Sequence, residues 1–237
     1  MKHRLTSSLE LIYQLIVQPG IDAVRKYYRP FACIQLCSIF LVIAYYSSSE
    51  LQEICDIIAQ FKETSGYFFG FLSFAIAGSI IPELAKLMTR MISSITRKQM
   101  NQILFLFCFF GCCGLLVDLF YRLQTFLFGH DTKPQIVIYK IALDQFVFTP
   151  LIMHPFSMLA TTLWEKKFNF RSTLVSITWY NFLKRMGPVF LIGWLYWIPM
   201  TFCIYSLPSP LQLPFCVLAV AAWSLLFVFI TSQKLKD

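Results

Sequence analysis

Apolar stretches alternate along this chain with short polar connections. The stretches lie at 31–46, 67–87, 101–121, 138–160, 187–207 and 211–231. Crossing a hydrocarbon core about 30 Å thick takes about 20 apolar residues in a helix. The first stretch, with 16 residues, is short for a span, whereas the others are long enough. The pattern predicts an all-α polytopic membrane protein of about six apolar helices.

The cations fall almost entirely in alternate connections. Of the 20 Lys and Arg residues, 16 lie in four places. These are the segment before the first stretch, the connection from the second to the third, the connection from the fourth to the fifth, and the segment after the sixth. Short cytoplasmic loops carry such a positive excess. We therefore expect both termini on the cytoplasm-like side of the membrane. The opposite side holds Lys62, Arg122 and Lys133.

The distribution of apolar and charged residues divides the chain into three parts. Residues 1–65 are expected to hold an amphipathic helix, the short apolar stretch and an acidic loop. Residues 66–231 hold the remaining spans, and 232–237 form a basic tail. Apolar residues at helical spacing precede Pro19-Gly20, so that pair is expected to end a helix on the membrane surface.

Composition narrows the partners and the chemistry. The chain is 57% hydrophobic and 14% charged, with a net charge of +8. Because the cations flank the apolar stretches, we expect lipid headgroups as their partner and no nucleic acid; self-association into a homo-oligomer is left open. The eight cysteines show no zinc-type spacing, so no metal and no cofactor is expected. No nucleophile–base pair is recognisable, and we expect no catalytic residues and no enzyme.

Small residues in the second apolar stretch form a stripe. Gly66, Gly70, Ser73 and Ala77 follow a spacing of four, three and four residues. This spacing places them on one helix face, where small side chains let a second helix approach closely. We expect that face to be a helix-packing surface.

The fourth stretch carries the strongest polar signal. At a rise of about 1.5 Å per residue, Asp144 lies about 14 Å into the membrane, and Lys140 stands four residues before it, on the same face. Pro150 cannot donate to the carbonyl of Phe146, so a kink is expected beside the pair. With Gln145, these groups either line a hydrated cavity or form a structural ion pair that fixes helix register.

Other polar and proline positions extend this hypothesis. Asp118 and Glu83, near the ends of the third and second stretches, are further candidates for a cavity or pore lining. Asp118 is shallow enough that exposure to water is the simpler expectation. Further kinks are expected at Pro155 and Pro199.

Several of these residues carry a family resemblance. The motif Lys140-x-x-x-Asp144-Gln145-x-x-x-x-Pro150, the pair Trp197-x-Pro199 and the late Trp223 resemble the Mpv-seventeen and twenty-two-kilodalton peroxisomal membrane protein family. Gly78 and the segment 114–121 are similar to two further family motifs, and the resemblance covers about 66–231. The chain departs from the family pattern at Ser79, Glu83, Leu115, Asp118 and Ser224.

The resemblance implies a location and a function. It implies a small helical protein of the mitochondrial inner or peroxisomal membrane, or of the inner membrane in a bacterium. The family is associated with weakly selective passage of solutes and with membrane homeostasis. The expected function is thus that of a channel or solute-passage protein for an unknown small solute. A non-conducting structural or partner-binding membrane protein is the alternative.

Overall fold

The computed structural model describes residues 18–234, which are almost entirely helical and contain no strand. In chain order the elements are α1 (Gln18–Ser47), α2 (Ser49–Ser65), α3 (Tyr67–Ala75), π1 (Ile76–Ile80), α4 (Ile81–Met88), α5 (Arg97–Phe128), α6 (Pro134–Leu143), π2 (Asp144–Met153), α7 (His154–Glu165), α8 (Phe170–Ser176), α9 (Trp179–Tyr205) and α10 (Ser209–Lys234). The predicted N-terminal amphipathic helix lies largely outside the described residues, as does the end of the basic tail.

Spanning segments confirm the predicted fold class. Within the described residues, those long and apolar enough to cross a membrane are Tyr28–Ser47, Tyr67–Met88, Arg97–Phe128, Pro134–Glu165 and Ser209–Leu226. Trp179–Gly187 and Ile192–Tyr205 make a sixth if they form one broken span. The short first stretch, 31–46, is extended to 20 residues because the span continues to Tyr28 at one end and to Ser47 at the other.

The chain divides into two compact units. The first consists of residues up to Gln35 together with Ala142–Pro199, and the second of Leu36–Ile141 together with the segment from Met200 onward. The boundary predicted between residues 65 and 66 falls inside the second unit.

The second unit is organised around a close crossing of α3 and α5. A Cβ atom added to Gly114 would lie 2.1 Å from the carbonyl oxygen of Gly70, so the two backbones touch. Next to this contact, the ring of Phe110 lies where a Cβ atom of Gly78 would be. Small residues therefore set the distance between these helices.

The residues of the predicted packing stripe differ in their surroundings. Gly70 and Ala77 are buried and Ser73 is half-buried, but no atom of the described residues lies within 4 Å of a Cβ atom added to Gly66. Gly66 instead caps the C-terminal end of α2, with a φ of 55°. Glycine adopts this backbone conformation without the strain that a Cβ atom brings, so the residue serves a turn rather than a helix contact.

Ion pairing and ring contacts join the helices of the first unit. Arg185 of α9 forms two hydrogen bonds with the Glu165 carboxylate at the end of α7, at 3.1 and 2.5 Å. His154 stacks on Phe190 with 4.2 Å between ring centroids. Gln35 donates to the carbonyl oxygen of Tyr196 at 2.8 Å.

Three local predictions differ from the structure. The segment predicted as an acidic loop is the helix α2, whose first turn is capped by the Ser48 side chain. Pro19-Gly20, expected to end a helix, lies within α1. The sharp bend of α9, 65°, lies between Gly187 and Ile192 rather than at Pro199. That segment begins with Gly187 followed by a proline, a combination that bends helices.

Candidate functional site

All five candidate lining residues are buried. Glu83, Asp118 and Lys140 belong to the second unit, and Asp144 and Gln145 to the first. Within the described residues, each of the three in the second unit has its own set of polar contacts. A hollow of about 300 Å³ lies on α8, and none of the five lines it.

Asp118 is paired with two cations. It has no exposed surface, so the expected exposure to water is wrong. Its Oδ2 atom lies 3.2 Å from the guanidinium of Arg122, one turn further along α5, and its Oδ1 atom lies 3.6 Å from the ammonium of Lys62 on α2. The helix crossing excludes water here, so cations replace water as its partners.

The guanidinium of Arg122 also lies over the ring of Tyr67, 4.6 Å from its centroid. We call Lys62, Asp118, Arg122 and Tyr67 the Asp118 cluster. It joins α2, α3 and α5 at the ends of two spans. The Oδ1 atom of Asp118 is buried and has no hydrogen-bond partner among the described residues. The cluster therefore carries a net positive charge around a carboxylate that is only half satisfied.

Lys62 and Arg122 were not predicted as site residues, because both fall in the connections between the apolar stretches. The spacing of Asp118 and Arg122, four residues apart, was a signal for the second. No local signal identified Lys62, since its contact joins segments more than fifty residues apart in sequence.

Lys140 is fully buried on α6. Its ammonium donates to the carbonyl oxygen of Gly129 at 3.3 Å, and its own carbonyl oxygen accepts a hydrogen bond of 3.0 Å from Gln124. The Gln124 side chain is also fully buried, and its Oε1 atom has no hydrogen-bond partner in the described part of the chain. Gln124 was missed, although a glutamine within an apolar helix was a visible signal.

The connection beside Lys140 contains an exposed ion pair. The ammonium of Lys133 lies 2.6 Å from the Asp131 carboxylate. This hydrogen bond and the charge of Lys133 hold the pKa of Asp131 below its usual value, and Asp131 raises the pKa of Lys133. At the other end of the second unit, Glu83 pairs with Lys86 at 2.5 Å.

Asp144 begins the π2 segment. Its Oδ1 atom accepts hydrogen bonds from the Thr149 hydroxyl at 3.1 Å and from the Gln145 amide at 3.3 Å. The ion pair between Lys140 and Asp144 stays a prediction. The hydroxyl of Thr149, which sequence analysis missed, thus stabilises an intramembrane carboxylate from the next turn of the same helix.

Pro150 lies within π2. In this hydrogen-bond pattern residue i+5 donates to residue i, so the N–H that Pro150 lacks would have bonded to the carbonyl oxygen of Gln145. The indole N–H of Trp194 donates to the Gln145 carbonyl oxygen at 3.3 Å. α9 therefore supplies a donor to a carbonyl oxygen that Pro150 cannot reach.

His154 and Pro155 follow directly, at the start of α7. In the tautomer that carries its proton on Nδ1, His154 donates to the Thr149 carbonyl oxygen at 2.9 Å. Pro155 is the second residue of α7.

Replacing Trp194 with Phe should destabilise the first unit. The change keeps an aromatic ring but leaves the Gln145 carbonyl oxygen without its donor, at an expected cost of about 1–2 kcal/mol. Thermal unfolding in detergent is the measurement. Trp179→Phe is the matched control, since Trp179 is 73% exposed. Equal shifts in Tm for the two variants would contradict the role of this hydrogen bond.

These features define the class of the protein: it is an all-α polytopic membrane protein with buried ionisable groups in its spanning helices. Comparison of the chain with protein-family models, with curated proteins and with solved structures finds no match.

Proposed function

We propose that this membrane protein is a weakly selective channel or solute-passage protein and that π2 is its polar element. One observation carries the proposal: a span of 32 residues, Pro134–Glu165, is interrupted at its middle by a π segment that begins with a buried carboxylate. Ionisable groups within spans are costly, and those that occur are by default functional candidates.

Two further features support a role in solute passage. π segments occur frequently at functional sites, and the second span is interrupted in the same way by π1. Transporters also build their sites from interrupted helices, where backbone groups freed from the helix contact solutes. Asp144 and Thr149 provide a carboxylate and a hydroxyl at such an interruption.

The proposal includes an orientation in the membrane, a protein family and a location. The cation distribution supports both termini on the cytoplasm-like side. The motif around Asp144 and Gln145 supports membership of the Mpv-seventeen and twenty-two-kilodalton peroxisomal membrane protein family, and with it the mitochondrial inner or peroxisomal membrane.

Conductance in planar bilayers tests the function. We expect the purified wild-type protein to conduct, and Asp144→Asn to change its conductance or ion selectivity because the change removes a charge from the middle of a span. Asp131→Asn makes the same chemical change in an exposed connection and should leave both nearly unchanged. Absence of conductance in the wild type, or equal effects of the two variants, would contradict the proposal.

A non-conducting structural protein is the second candidate. The contact between the backbones of Gly70 and Gly114 favours it, because such a crossing leaves no space for solutes between α3 and α5. A protein that is stable in the membrane but silent in the conductance experiment would have this function.

A further inference from the structure

The α2 helix connects two spans and has three distinct sectors. One residue, Ser48, separates it from the Tyr28–Ser47 span, and one residue, Gly66, separates it from the Tyr67–Met88 span, so both of its ends are held where those spans leave the membrane. Its 17 residues include four acidic residues and one basic residue, and it is not apolar enough to cross the membrane itself.

The first sector packs against the protein. At about 100° per residue, Leu51, Cys55, Ala59 and Lys62 lie along one side of α2, and all four are partly buried. Lys62 reaches the buried Asp118 carboxylate. This ion pair fixes which side of α2 faces α5.

The second sector is apolar and exposed. It consists of Ile54, Ile57, Ile58 and Phe61, of which Ile57 and Phe61 are 66% and 64% exposed. The ends of the adjoining spans carry exposed aromatic residues as well, with Tyr46 at 53% and Phe68 at 65%. The apolar sector is thus continuous along the chain with the surfaces that the spans present to lipid.

The third sector is polar. Glu53, Asp56, Gln60 and Glu63 are exposed, and this sector is centred roughly 130° from the apolar one at 100° per residue. An apolar and a charged side on one helix that is fixed at the membrane surface is the pattern of a helix lying in the interface plane.

We propose that α2 lies in the membrane interface, with its apolar sector inserted among the acyl chains of lipids whose headgroups carry no net charge. The acidic sector then faces water. Anionic lipids are disfavoured, because the one cation of the helix, Lys62, is engaged by Asp118. This interaction surface is independent of whether the protein conducts.

Photo-crosslinking tests the proposal with the full-length protein in phosphatidylcholine vesicles. Ile57→p-benzoylphenylalanine is expected to form adducts with lipid acyl chains, identified by mass spectrometry of the α2 peptide. The matched control, Gln60→p-benzoylphenylalanine, places the same group in the polar sector and should give severalfold less lipid adduct. The same comparison at Phe61 against Glu53 guards against a local effect of one variant.

Other crosslinking results would overturn the proposal. Adducts from Ile57 to a second copy of the chain would show that the apolar sector is a protein interface. Equal yields of lipid adduct at Ile57 and Gln60 would show that α2 does not lie in the interface plane. Either result overturns the proposal. Yields in phosphatidylserine vesicles should be lower than in phosphatidylcholine. Equal or higher yields there would overturn the preference for uncharged headgroups.

Discussion

Gly114→Ala is expected to lower the free energy of unfolding by about 3 kcal/mol, since overpacking at a site without room costs about this much. The added methyl carbon would lie 2.1 Å from the Gly70 carbonyl oxygen and 2.8 Å from the Cβ atom of Phe74. Backbone atoms cannot move aside as a flexible side chain can, so α3 and α5 must separate. Thermal unfolding in detergent should show a large fall in Tm.

Two other glycines make the comparison quantitative. Gly70→Ala places its methyl carbon 3.1 Å from the Gly114 carbonyl oxygen, so its loss should be smaller than that of Gly114→Ala. Among the described side chains, a Cβ atom added to Gly193 meets one neighbour, a Trp197 ring atom at 3.9 Å, so Gly193→Ala should be neutral or stabilising by up to about 1 kcal/mol through helix propensity. Any other order of the three Tm values would contradict the close crossing.

Asp118→Asn is expected to cost about 3 kcal/mol, because removing one partner of a buried ion pair leaves the remaining charge uncompensated. Here two cations lose their partner. Lys62 contributes most of the loss, since its side chain is 12% exposed, whereas that of Arg122 is 44% exposed and regains water. Urea or thermal unfolding measures the change.

A double-mutant cycle tests whether the lost stability comes from the pair of Lys62 and Asp118 or from the substitution to asparagine in general. Lys62→Gln in the Asp118→Asn background should recover part of the lost stability, because the two residues interact directly. Asp131→Asn breaks an exposed pair and should leave stability nearly unchanged. Additive effects of the Lys62 and Asp118 substitutions would show that the ion pair does not contribute to stability.

The spans and the burial of Lys140, Asp144 and Gln145 could be predicted because hydropathy and helical rise depend only on local sequence. The α2 helix could have been predicted too. Its apolar residues recur at Ile54, Ile57, Ile58 and Phe61, with Ser48 as a capping residue before them, but the acidic residues between them suggested a loop.

Other features had no sequence signal. The contact of Lys62 with Asp118 depends on how α2 packs within the second unit, chiefly against α10, and hydrophobic periodicity contains no information on that arrangement. The π segments were missed because a wide turn changes the hydrogen-bond pattern without a characteristic composition. At Pro150 the sequence indicated a distortion, but not that Trp194 would supply the missing donor.

Each π segment also changes the angular position of everything that follows it. A π turn holds an extra residue compared with an α turn, and one residue corresponds to about 100° around a helix axis. Glu83 after π1 and His154 after π2 therefore face directions that a helical wheel drawn through the whole span would misassign. The Tyr67–Met88 and Pro134–Glu165 spans each present two faces, one before and one after the insertion, and each segment has to be projected separately.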